Sequence, residues 1–152
     1  MFSFLKRNKE FFTAGEKQLI VEAVRNAELL TSGEVRVYVE SRCRYVDAMD
    51  KAREIFDQLK MGQTKERNAV LLYIAIKDRQ LAVLGDEGIH QKVGNEYWNN
   101  EVRKMIGAFN RDNYAEGIAI CVEDIGEALH TYFPYDNKID KNELPDDIVF
   151  GR

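Results

Sequence analysis

Ala69-Val70-Leu71-Leu72-Tyr73-Ile74-Ala75-Ile76 is an unbroken apolar run rich in β-forming residues. A strand buried on both faces reads this way, which predicts a place in the middle of a sheet. Lys77-Asp78-Arg79-Gln80 follows as a polar break of hairpin length, and Leu81 to Leu84 resumes the apolar character, so a third strand is expected to fold back on the second. Upstream, Val35, Val37 and Val39 alternate with Arg36, Tyr38 and Glu40, a period of two that marks a first strand with one more polar face. Between these strands, Ala48, Ala52, Ile55, Phe56 and Leu59 fall on one helical face, with Gly62 placed to stop the helix. A helix joining strands one and two predicts a parallel, right-handed crossover.

The remaining segments are helical. Thr13 and Glu16 form a capping-box pair ahead of Leu19, Ile20, Ala23, Val24 and Ala27, and Thr31-Ser32-Gly33 turns the chain after Leu30. In the C-terminal half a short helix is expected over 88–93. A second carries Trp98, Val102, Met105, Ile106 and Phe109, and a third carries Ile118, Cys121, Val122, Ile125 and Leu129 until Phe133-Pro134 ends it. The aromatic set Tyr97, Tyr114, Tyr132, Phe133 and Tyr135 is expected to close one lower edge of the domain. The predicted fold is α/β, a three-layer α/β/α sandwich around a small mixed sheet. It occupies residues 1–135, with 136–152 a polar, acidic tail lacking a core of its own.

The 152 residues favour one domain. A net charge of -4 argues against a grip on nucleic-acid phosphates. No apolar run approaches the ~20 residues of a membrane span, and Met1 to Leu5 stops at Lys6 without a signal-peptide core. A cytoplasmic monomer is the expectation. Cys43 and Cys121 read as free thiols, with Cys121 in the core. His90 and His130 lack ligand-like spacing to other metal-binding residues.

If the hairpin and the parallel crossover both form, Glu34, Asn68 and Asp86 meet at one edge of the sheet, with Glu28 close by at the end of the first helix. Carboxylate and amide oxygens are what a hard divalent cation prefers. Ser32 and Arg67, beside Thr31, are candidate phosphate or partner contacts. The competing reading is structural: Asp86 caps the helix after it, and Glu34 pairs with Arg67.

Six pieces of the chain, taken in order, carry a family resemblance. They are Glu28-Leu29-Leu30-Thr31-Ser32-Gly33-Glu34, Arg67-Asn68-Ala69-Val70-Leu71, Gly85-Asp86-Glu87-Gly88-Ile89, Trp98, Tyr114-Ala115-Glu116-Gly117 and Phe133-Pro134. Over Phe12 to Pro134 the sequence resembles the TPM-domain family, the thylakoid acid-phosphatase-like domains and their bacterial relatives. The tail from Asn142 to Val149 resembles the endings of bacterial members. The resemblance implies an α/β/α sandwich and binding of a divalent cation, often calcium, with magnesium or another ion as the alternative. In the plant branch it implies acid phosphatase activity, and in other members a role in maintaining membrane complexes through a protein partner. It does not identify catalytic residues here. The expectation is a cation-binding domain at Glu34, Asn68, Asp86 and Glu28. The alternatives are a metal-dependent phosphomonoester hydrolase and a non-catalytic protein-binding module.

Overall fold

A computed structural model describes residues 11–45, 47–135 and 148–150. Helix α1 (Ala14–Leu29) starts at the Thr13 cap, with Glu16 N–H donating to Thr13 Oγ1 at 3.1 Å and Thr13 N–H to Glu16 Oε1 at 2.8 Å. These two bonds satisfy two of the amide groups that a helix start leaves without partners. Strand β1 (Glu34–Glu40) follows, then α2 (Ala48–Gln58), whose cap Asp47 accepts from Met49 N–H at 2.9 Å. The residue in left-handed geometry after α2 is Lys60 (φ 56°) rather than the expected Gly62, which lies within a short 3-10 turn, Met61–Gln63. Strands β2 (Ala69–Ala75) and β3 (Gln80–Gly85) form the hairpin. Helices α3 (Glu87–Val93), α4 (Asn95–Asn110) and α5 (Tyr114–Tyr132) complete the C-terminal half.

The sheet order is β3-β2-β1-β4, with β1 parallel to β2 and β2 antiparallel to β3. Every residue of β2 is buried, as its uninterrupted apolar run requires of a central strand. Strand β4 (Val149–Phe150) is a difference from the sequence reading. The tail returns to the sheet, Val149 pairing in parallel with Tyr38, and Ile148 is buried. Residues 136–147 lie outside the described structure.

The pleat divides the core in two. Val35, Val37, Val39, Val70, Leu72 and Ile74 face a large apolar layer under α1 and α5, where Gly126 lets α5 approach Ala27 of α1 closely. Ala69, Leu71, Tyr73 and Ala75 face a smaller layer under α2. The more polar face of β1 turns out to be covered: Arg36 and Glu40 are buried there, and the Tyr73 hydroxyl donates to Glu40. The expected aromatic edge does not form, because Tyr114 and Tyr132 stand at opposite ends of α5, roughly 27 Å apart at 1.5 Å per residue.

Candidate functional site

The parallel register brings the starts of β1 and β2 together, Glu34 lying opposite Ala69, while the hairpin returns Gly85 to Val70. Glu34 N–H donates to the Asn68 carbonyl at 3.3 Å, and Asp86 N–H to the Ala69 carbonyl at 2.9 Å. Glu34, Asn68 and Asp86 therefore converge at the amino end of the parallel pair, and all three are buried. Glu28 reaches the same end of β1, its Oε2 accepting from Val35 N–H at 2.9 Å.

The surrounding loops are fixed by backbone contacts. Thr31 Oγ1 accepts from Gly33 N–H at 3.0 Å and donates to carbonyls at the end of α5, Leu129 at 3.2 Å and Phe133. Asn68 Nδ2 donates to Ser32 Oγ at 3.2 Å, joining the loops that lead into β1 and β2. Arg67 adopts left-handed geometry (φ 53°), and its carbonyl accepts from Gly88 N–H at 2.8 Å. This joint leaves no room for a side chain at residue 88. A Cβ there would stand 2.0 Å from the Glu66 carbonyl oxygen and 2.7 Å from that of Arg67.

Asp86 answers part of the structural reading. Its Oδ1 accepts from Glu87 N–H at 2.8 Å and caps α3, and both oxygens accept from the Arg67 guanidinium, Nε to Oδ2 at 2.7 Å and Nη2 to Oδ1 at 2.8 Å. The arginine thus pairs with Asp86, where the structural reading had given it to Glu34. This is a two-pronged, charge-assisted contact, and the hydrogen bond to Asp86 raises the Arg67 pKa further. The carboxylate is buried whereas Arg67 is about half exposed. Among the described residues, no group of three or more histidine, cysteine, aspartate or glutamate side chains is placed to hold a metal ion.

A second acidic cluster went unread in the sequence. Glu101 of α4 is almost fully buried, and Lys104 Nζ lies 3.2 Å from its Oε2 and 3.0 Å from Oδ2 of Asp124 on α5. Burial, reinforced by the hydrogen bond and charge of Asp124, pushes the Glu101 carboxyl up to about 7. The Cys121 thiol is raised well above its ordinary value, chiefly by burial, and has the character of an inert core thiol. A signal for Glu101 was present, since Trp98, Glu101, Met105 and Ala108 make one buried helical stripe. His90 also gains a partner, its Nδ1 accepting from Trp98 Nε1–H at 3.0 Å.

No helix among the described residues is long and apolar enough to cross a membrane. A search of curated proteins finds no match. Among solved structures, the chain is similar to the BA42 protein of the psychrophilic bacterium Bizionia argentinensis. That likeness has 38% identity and a TM-score of 0.84, over 93% of this chain and 96% of the other. It shares its fold more distantly with the N-terminal domain of the cg2496 protein of Corynebacterium glutamicum, at 13% identity and a TM-score of 0.57, over 78% of this chain and 74% of the other. The sequence model of the TPM domain matches residues 5–128, and the chain belongs to the TPM domain family.

Proposed function

We propose that this TPM domain is a binding domain that takes one divalent cation, calcium by donor chemistry, at the amino end of its sheet. The observation that carries the reading is the contact between Asp86 and Arg67. A buried carboxylate beside Glu34 and Asn68 is held by a half-exposed arginine, so the position already suits a cation and can be reached from solvent. The donor types fit a hard ion: the carboxylates of Glu34 and Glu28, the amide oxygen of Asn68, and Asp86 once Arg67 releases it. An ion bound there would neutralise carboxylate charge at the strand ends. Because no three carboxylates are placed to hold an ion among the described residues, the chain's own part would be to draw these side chains together at the sheet end as Arg67 swings outward. Magnesium is the weaker candidate, because it dehydrates reluctantly and demands near-ideal octahedral geometry.

The binding reading is preferred to phosphomonoester hydrolysis. The two residues suited to meeting a phosphate, Arg67 and Ser32, are engaged with Asp86 and Asn68. Calorimetric titration with calcium chloride provides the test. The wild type should bind, Asp86→Ala should lose at least about tenfold in affinity, and Arg67→Ala should bind more tightly because the competing cation is gone. Equal affinity in wild type and Asp86→Ala would remove Asp86 from the site. A parallel assay of p-nitrophenyl phosphate with and without EDTA should show no turnover; EDTA-sensitive turnover lost in Asp86→Ala would favour the hydrolase.

A further inference from the structure

Among the described residues strand β3 is an edge of the sheet, and its outer side borders a groove. The Asp86 to Ala69 bond sets the phase of the hairpin, so Gln80, Ala82 and Leu84 exchange hydrogen bonds with β2. Leu81, Val83 and Gly85 consequently aim their peptide N–H and C=O groups outward. Among the described residues no donor or acceptor meets them on that side. Val83 is buried, and buried peptide groups without partners are rare in folded proteins. Exposed edges are usually guarded by lysine, proline or a bulge. The sequence Gln80-Leu81-Ala82-Val83-Leu84-Gly85 carries neither a charge nor a proline.

The groove beside this edge has a volume of about 460 Å³. Val83 and Gly85 line its floor, Met49 and Arg53 of α2 one wall, and Trp98 and Asn99 of α4 the other. Gly85 is what allows Trp98 to lie against the strand, since a Cβ there would fall 2.3 Å from the indole ring. Among the described residues Arg53 is the one formally charged residue lining the groove, and its exposed side chain pairs with the equally exposed Asp50 at 3.2 Å, a weak surface contact that an incoming carboxylate can share.

We propose that this groove accepts an extended peptide segment of a partner protein, which adds to β3 as a further strand and places a carboxylate against Arg53. Backbone pairing at alternate residues supplies the affinity in this mode of recognition, and the wall contacts supply selectivity. The groove borders residues 83 to 85, and with the continuation of the edge to Leu81 the outward groups span roughly 14 Å at ~3.4 Å per residue, the length of a four- or five-residue strand. The inference is independent of the cation site and does not require an ion.

The test uses the full chain in EDTA and a blocked heptapeptide, Thr-Val-Thr-Val-Asp-Val-Thr, with amide hydrogen exchange read by NMR. Saturating peptide should slow exchange at Leu81, Val83 and Gly85 and leave Ala82 and Leu84, already bonded to β2, unchanged. A control peptide methylated on alternate backbone nitrogens should lose this protection. Arg53→Glu, an exposed change, should weaken binding about fivefold, the scale of one exposed ion pair. Absence of the alternating protection overturns the proposal, as does equal binding of the methylated peptide. Protection that rises with protein concentration in the absence of peptide would assign the edge to a second copy of the chain instead.

Discussion

At the amino end of the sheet Arg67 grips the buried Asp86 through both carboxylate oxygens and lies 3.7 Å from the exposed Glu87, whereas between α4 and α5 the buried Glu101 shares a single lysine with Asp124. The contrast in contact geometry separates their chemistry. Arg67 matches both oxygens of Asp86 in a planar fork, and its exposed side leaves a route for exchange. Lys104 is a point charge divided between two acids, and the surplus negative charge in a buried place is relieved by retaining a proton, which is why the Glu101 carboxyl titrates near 7. On the proposed reading the first cluster trades one cation for another, whereas the second is built to hold a proton.

The largest expected effect breaks the first cluster at its backbone. Gly88→Ala drives a Cβ into two carbonyl oxygens that cannot move independently, and should destabilise the domain by about 3 kcal/mol or more, measured by urea unfolding. The second prediction concerns pH. The Glu101 carboxyl binds its proton more tightly in the fold than its ordinary value of 4.5 allows, so its contribution to stability is complete below pH 4.5 and declines as pH rises towards 7. Unfolding midpoints should show this decline, amounting to at most about 3 kcal/mol, and Glu101→Gln should flatten it. A third change is milder. Asp86→Asn keeps a helix-capping oxygen while losing the charge that holds Arg67, and because the arginine is half exposed the cost should be about 1 kcal/mol or less.

Much of the architecture was legible because burial imposes periodicity. The apolar run of β2, the alternation of β1 and the polar break between β2 and β3 were enough to place Glu34, Asn68 and Asp86 at one end of the sheet. What escaped reading depends on side-chain pairing across elements that are distant in sequence. Nothing local tells Arg67 to choose Asp86 over Glu34; that follows from its left-handed backbone and the approach of Gly88. The burial of Arg36 and Glu40 depends on packing across the sheet, where Glu40 receives the Tyr73 hydroxyl, on a face that alternation alone marks as polar. The return of Val149 to β1 hides in a segment whose acidic composition reads as solvated tail. Glu101 escapes because nothing local separates a charge on an apolar stripe from a solvated one until α5 brings Asp124 to Lys104.

The measurement that separates the two clusters most directly is a calcium titration followed through backbone amide shifts. The account predicts saturable changes at Glu34, Arg67, Asn68 and Asp86 by a few millimolar calcium, within the range of weak extracellular-type sites, while Glu101 and Asp124 stay still. Changes centred on Glu101 and Asp124, or no saturable change at the sheet end, would contradict it.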